Sequence, residues 1–256
     1  MDGQVSISPL IEKAQALLLA KRTQLSKDDP TKLKESLPKV NSRSNESRQV
    51  CYERAERAEQ ERKEHHAKVQ RQWKINDCHR GAMIPARHRS TTITEAGPWW
   101  DKVQALQSHT GTGYLFSLIG KRGTGKTQLA VHLLLISCNA AQPCLYAKAM
   151  DIFLDIRSSY DTKGATEQVR VDYWVKPKLL VIDELQERGN STWEDRMLVH
   201  IIDKRYDAQL DTILISNLTE SRFESALGPS ITSRIMECGG HVICDWPSFR
   251  GPKQAA

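Results

Sequence analysis

No run of apolar residues in this 256-residue chain approaches the ~20 needed to cross a bilayer, and no apolar signal segment opens it. The expectation is a cytoplasmic protein with no membrane contact. Six cysteines, at positions 51, 78, 138, 144, 238 and 244, form no C-x-x-C pair, so a disulfide framework is not expected and the thiols should be reduced. Cys51, His65, His66, Cys78 and His79 fall close together, but their spacing matches no ordinary zinc pattern. Internal repeats and low-complexity tracts are also lacking, which sets aside solenoids and fibrous folds.

What is present divides in two. The length suits one α/β domain plus a smaller appendage, and Lys and Arg outnumber Asp and Glu by 37 to 31, a balance that suits an acidic partner such as nucleic acid. In residues 1–80, "SPLIEKAQALLLAKRTQL" places Leu10, Ile11, Ala14, Leu17, Leu18 and Leu25 at helical spacing behind Ser8 and Pro9. A polar linker broken by Pro30 and Pro38 follows. "ESRQVCYERAERAEQERKEHHAKVQRQWKIND" then predicts a long exposed helix held by i,i+4 pairs such as Glu53 with Arg57. A second linker, "HRGAMIPARHRSTTITEAGP", leads into residues 81–256, where apolar strands alternate with helices. The five strand candidates are "GYLFSLIG", "CLYAKAM", "KLLVID", "DTILISN" and "HVICDW", a pattern that predicts a parallel sheet covered on both faces.

"GKRGTGKT" fits G-x-x-x-x-G-K-[ST] between an apolar strand and a helix. Gly120, Gly123 and Gly125 let the backbone wrap a phosphate chain, and Lys121, Arg122 and Thr124 contribute amides to the same loop. Lys126 would reach the β- and γ-phosphates of ATP, and the Thr127 hydroxyl would hold Mg²⁺. "KLLVIDELQER" sets Asp183 and Glu184 at the carboxyl end of a buried strand, where open parallel sheets bind ligands. Asp183 suits the waters on Mg²⁺, and Glu184 suits a general base for an attacking water. Asn217 closes "DTILISN"; it is either a loop asparagine or a neutral donor to the water or the γ-phosphate.

A P-loop, an intervening strand, an Asp-Glu pair, an Asn-tipped strand and a following Arg together resemble the AAA+ ATPases. "KLLVIDELQER", "TILISNLT", "SRIMECGG" and "DWPSFR" look more narrowly like the DnaC-type helicase loaders of bacteria and phages, with the IstB-type transposition ATPases as relatives. The likeness runs from Ile84 to Arg250 and is only architectural before that. It implies an AAA+ domain with a five-stranded parallel sheet in the order 5-1-4-3-2, preceded by a small helical N-terminal region. It also implies that Arg234 is an arginine finger completing a neighbour's site, which requires self-association, and that Arg250 is the sensor 2 arginine. Arg157 and Lys148 lie in "CLYAKAMDIFLDIRSSYD", around the end of the second strand, after which the initiator and loader branch carries a helical insertion used in stacking and DNA contact. Trp99 and Trp100 sit where the family packs against the nucleotide domain.

Three functions fit these residues. One is an ATP-dependent loader, its N-terminal helices on a DnaB-type hexameric helicase and its AAA+ domain on single-stranded DNA, with hydrolysis controlling release. Another is an IstB-like regulator of DNA transposition. The last is a nucleotide-gated adaptor with little hydrolysis, against which Glu184 and Arg234 argue.

Overall fold

Alternation within the five apolar runs decides the architecture. In the computed structural model, which describes residues 42–91, 96–160, 164, 166–189 and 191–250, these runs form β1 (Leu115–Ile119), β2 (Cys144–Lys148), β3 (Leu179–Asp183), β4 (Asp211–Ser216) and β5 (Gly240–Ile243). All pair in parallel in the order β2-β3-β4-β1-β5, which is the expected order read from the other edge. Phe116, Leu118, Val181, Ile213 and Ile215 pack into one core, whereas Leu115, Ile119, Leu180, Ile182 and Leu214 pack into another on the opposite face. Burial on both faces is why the strands read as continuous apolar runs.

The first core is closed by helices Gly97–Gln107 and Lys126–Asn139, through side chains such as Trp99, Val103, Leu129 and Leu133. The second is closed by Ala149–Ser158, Glu167–Val175, Thr192–Asp207 and Glu220–Cys238, through Ile152, Trp174, Ile201 and Ile231 among others. Thr192–Asp207 starts on a full capping box between Ser191 and Glu194. Glu220–Cys238 is broken at Gly228, whose φ of 77° and ψ of 169° lie outside helical space, and Pro229 restarts it.

The chain divides into Met1–Glu64 and His65–Ala256. Ser42–Gly81 is a helix of 40 residues. Nearly all of its described side chains are exposed, and i,i+4 pairs recur along it, such as Lys63 with Glu59 at 2.7 Å and Gln72 with Asn76 at 3.0 Å. Glu53, expected to pair with Arg57, accepts from Gln49 at 3.3 Å. The helix predicted over residues 8–25 and the linker after it lie outside the described residues. The second linker needs correction. His79, Arg80 and Gly81 continue the helix, while Ala82 and Ile84 are buried, and the Ala82 carbonyl accepts from the Tyr146 amide at 2.9 Å. Its apolar Ala82 and Ile84 supply core contacts that a mobile linker lacks. No helix among the described residues is long and apolar enough to cross a membrane.

Candidate functional site

Parallel strands end together, so whatever follows β1, β3 and β4 meets at the carboxyl end of the sheet. A cleft of about 470 Å³ opens there, in the size range of small-molecule sites. Its lining brings together Arg122, Gly123, Gly125, Lys126, Thr127, Asp183, Glu184, Asn217 and Arg250. Four basic side chains, Arg87, Arg122, Lys126 and Arg250, face two carboxylates, Asp183 and Glu184, a balance suited to a polyanion.

The loop after β1 curls because its glycines permit it. Gly123 has φ of 90° and Gly125 of 79°, and a side chain at Gly123 would collide with Ser248 Oγ. The carboxyl-terminal segment clamps the loop from outside. The Phe249 amide donates to the Gly123 carbonyl at 2.9 Å, and Trp246 Nε1 donates to the Thr124 carbonyl at 2.7 Å. Trp99 Nε1 donates to the Gly125 carbonyl at 3.2 Å, and its ring meets Phe249 edge-on. Trp99 thus packs against the phosphate loop as expected, and Trp100 stacks on Trp99.

Lys126 is 5% exposed and donates from Nζ to the carbonyls of Gly120 at 2.8 Å and Lys121 at 2.7 Å. Burial pulls its ammonium below the usual lysine range, opposed by Cys244 and Asp183, with Arg250 adding to the depression. The Lys126 charge therefore sits where a phosphate would relieve it.

Asp183, 5% exposed, collects three donors. Its Oδ2 accepts from Thr127 Oγ1 at 2.7 Å and from the Tyr146 hydroxyl at 2.8 Å, and its Oδ1 accepts from the Glu184 amide at 2.7 Å. Burial and the neighbouring Asp183 charge push the Tyr146 hydroxyl well up, so it remains a donor. Thr127 and Asp183 together form an oxygen set of the kind that holds Mg²⁺ with waters. The donors present and the cradle that a Cβ would fill therefore fit a magnesium nucleotide.

Glu184 has a φ of 55°, a left-handed conformation that is uncommon outside glycine and concentrates at functional sites. The turn carries its carboxylate to Lys148 Nζ at 2.8 Å, and Lys148 lies opposite Asp183 in the β2–β3 register. The Glu184 hydrogen bond and charge raise the Lys148 ammonium above its ordinary value. Lys148, considered for DNA contact, is thus paired with a carboxylate of the site. Arg157 pairs with the buried Glu194 at 3.6 Å and lies over the Trp193 ring at 4.8 Å. Arg122 reaches Glu187 at 3.1 Å.

Asn217 lines the cleft from the end of β4, and β4 lies between the P-loop strand and the Asp183 strand. Gln186 fixes that strand end, its Oε1 accepting from Ser216 Oγ at 3.0 Å and from the Asn217 amide at 3.1 Å. Arg250 enters the same cleft, with its Cδ 3.5 Å from where a Cβ on Gly123 would stand. Arg234 stays out of it. Its guanidinium pairs with Asp203 at 3.1 Å, donates to the Ser230 carbonyl and hydroxyl at 2.9 and 2.5 Å, and lies 5.3 Å from the Tyr206 ring.

Sequence reasoning missed Arg87, His88, Thr91 and Gln128, which also line the cleft. Gln128 Nε2 donates to the His88 carbonyl at 3.2 Å, so the stretch taken for a linker forms a wall. Three basic residues within "ARHRS" were the available signal. Of the residues weighed for zinc, His79 bonds Asn139 at 2.7 Å and His66 bonds Gln70 at 2.7 Å.

Comparison with known proteins agrees with this geometry. The family described as IstB-like ATP binding protein matches residues 102–238, which take in the phosphate loop, Asp183, Glu184, Asn217 and Arg234. The replicative helicase loader DnaC of Escherichia coli (strain K12) is 27% identical over 153 residues, which are 57% of this chain and 60% of that protein. The DnaC of Buchnera aphidicola subsp. Acyrthosiphon pisum (strain APS) is 27% identical over 140 residues, 54% of this chain and 56% of its own. The chain thus spans little more than half the length of these curated relatives. Among solved structures, that of the DnaC helicase loader superposes with a TM-score of 0.54 at 20% identity, over 62% of this chain and 99% of that one. DnaI gives 0.53 at 17% identity, over 66% and 95%. AMPPCP-bound DnaA from Aquifex aeolicus gives 0.51 at 19%, over 61% and 49%. These similarities show the AAA+ fold, and the family match covers more than half of the 256 residues. The chain belongs to the family of IstB-like ATP-binding proteins.

Proposed function

We propose that this protein is an ATP-dependent loader of a DnaB-type replicative helicase, hydrolysing ATP in the cleft built around Lys126 and Asp183. The supporting observation is the convergence there of Lys126, Thr127, Asp183, Glu184, Asn217 and Arg250, within a chain whose curated relatives include proteins named replicative helicase loaders. Mg²⁺, when bound, offsets charge on the β- and γ-phosphates. The protein's own residues do the rest. Gly123 and Gly125 keep the loop open to a phosphate chain; Lys126 exchanges its two carbonyl partners for phosphate oxygens; Thr127 and Asp183 supply the metal's oxygen donors. Asn217 orients the attacking water and Glu184 takes its proton, which requires its carboxylate to leave Lys148 first. Held by Lys148, Glu184 describes a resting site.

Arg250 serves the nucleotide of its own subunit. Arg234, tied outside the cleft, is offered to a neighbour, so that full hydrolysis requires self-association of AAA+ domains. Residues 1–80 bind the helicase, the AAA+ domain of residues 81–256 binds single-stranded DNA, and hydrolysis times the release.

The test is co-elution of the full chain with a hexameric DnaB-type helicase, with and without ATP. Co-elution that is lost when residues 1–80 are removed, with ATP binding retained, supports the loader; capture of a transposase and double-stranded DNA turns the reading toward transposition control. Arg234→Ala should keep nucleotide affinity while losing about 10³-fold or more of assembly-stimulated hydrolysis. Mixing it with Glu184→Gln protein should restore activity at hybrid interfaces, and absence of rescue overturns the finger acting in trans.

A further inference from the structure

One polar cluster lies outside the nucleotide cleft and takes no part in its chemistry. Glu220 and Glu224 stand one turn apart at the start of the kinked helix Glu220–Cys238, and His241 lies beneath them on β5. One ligand atom from each falls within 4.8 Å of the others, and none of the three lines the cleft.

His241 carries the argument. Its side chain is only 3% exposed, yet its Nε2 is buried without a hydrogen-bond partner. Such an atom is uncommon in a native interior and calls for an occupant. The ring is held from behind, because Nδ1 bonds Ser117 Oγ at 2.6 Å, across the β1–β5 register in which Ser117 pairs with His241. Phe223 packs against the ring edge-on at 5.8 Å. A hydroxyl on Nδ1 is the kind of outer contact that fixes the tautomer and orientation of a metal-binding imidazole, leaving Nε2 to face outward. What it faces is Glu224 Oε1, at 3.4 Å. That is long for a hydrogen bond. It is the separation of two ligands of one zinc ion, since donors set tetrahedrally about 2.0–2.2 Å from zinc stand about 3.3–3.6 Å apart.

We propose that Glu220, Glu224 and His241 form a site for a divalent transition-metal ion, zinc foremost, with three protein ligands and a fourth position open to water or a partner. The two carboxylates balance the ion's charge, and the imidazole selects against Mg²⁺ and Ca²⁺, which favour oxygen-only sites. Bound metal ties the first turns of the helix to β5, on the far side of the Gly228–Pro229 break from Arg234. It therefore braces the root of that helix, ahead of the break.

The test uses the full chain, freed of metal by chelation and titrated with Zn²⁺ and with Co²⁺ in the absence of nucleotide. Wild-type protein should bind one more equivalent of Zn²⁺ than Glu220→Gln, Glu224→Gln or His241→Ala, and Co²⁺ should give tetrahedral visible bands that those variants lack. Zn²⁺ should raise the melting temperature of the wild type but not of the glutamine variants. Ser117→Ala should keep the site and weaken it by about tenfold, a loss a bystander hydroxyl would not cause. Glu220 is exposed, so Glu220→Gln should fold, and unchanged ATP binding in each variant checks that the neighbouring cleft is intact. Equal Zn²⁺ uptake by wild type and both glutamine variants overturns the proposal, leaving Glu224 and His241 as a plain ion pair. Binding of Mg²⁺ with no response to Zn²⁺ overturns it as well.

Discussion

The two ends of the sheet bury charge in opposite ways. At the amino end, Arg205 is wholly buried, donating to Thr212 Oγ1 at 2.9 Å and to the carbonyls of Val175 at 2.7 Å, Pro177 at 2.9 Å and Asp211 at 2.5 Å. Asp211 accepts backbone amides from Gly111 at 2.5 Å, Gly113 at 2.8 Å and Tyr114 at 3.2 Å. Most of these partners are backbone atoms of the loops entering the strands, so the charges lock the chain and have nothing to exchange. At the carboxyl end, Lys126 holds two loop carbonyls and Glu184 holds an exposed lysine, partners that a phosphate or a water can replace. A buried charge is structural when its donors are saturated by the fold and functional when its partners are interchangeable.

The largest effect that could break this contrast is at Arg205. Burial pulls its guanidinium down to about 10, which leaves it charged at neutral pH. Arg205→Ala removes the donor to several buried carbonyls at once and should cost about 3–5 kcal/mol of folding stability, read as a lower urea midpoint. A loss below about 1 kcal/mol would place Arg205 with the exchangeable charges. Lys126→Ala should do the reverse, weakening ATP binding by about 10–100-fold while moving folding stability by less than about 1 kcal/mol. Retained ATP affinity would remove the phosphate loop assignment.

A smaller effect separates positioning from binding within the carboxyl end itself. Gln186 touches no ligand position but holds Ser216 and the Asn217 amide through one oxygen. Gln186→Ala should lower the rate of ATP hydrolysis by about 2–10-fold, the worth of one hydrogen bond, with ATP affinity unchanged. An equal change in affinity would mean that Gln186 shapes the cleft as a whole.

Much of the carboxyl end was legible in the sequence, because its chemistry sits in contiguous motifs. "GKRGTGKT" carries its own conformational signature in glycines, and Asp183 and Glu184 directly follow a run of apolar residues that must be a buried strand. The sheet order came from the resemblance, and the observed pairing agrees with it. The amino end was illegible for the same reason in reverse. Apart from the nearby Asp211 carbonyl, Arg205 acts through backbone atoms 28 to 31 positions away, and Asp211 through amides 97 to 100 positions away, and no local spacing encodes that. The wall built by Arg87, His88 and Thr91 was hidden because Ala82 and Ile84, which anchor it, are too few apolar residues to show a period. The pairing of Lys148 with Glu184 depends on β2 lying beside β3, a consequence of topology alone.

That pairing yields the smallest effect and the finest division. Lys148 is 47% exposed, so its pair with Glu184 behaves as a surface ion pair worth about 0.2–1 kcal/mol. Because its ammonium is raised in the folded protein, the contribution is complete below the unfolded lysine value and disappears as pH climbs through the folded one. Lys148→Met should therefore lower stability slightly from pH 7 up to the ordinary lysine value of about 10.4, and the difference from wild type should close as pH rises above it, measured as paired urea midpoints. Glu184 should gain from the same change, since its carboxylate no longer has to leave a cation before it accepts a proton. Basal ATP hydrolysis in Lys148→Met should rise while Arg205 and Asp211 keep the fold in place. A fall in hydrolysis would make Lys148 part of the reacting site, and the exchangeable partner at this end of the sheet would have to be sought elsewhere.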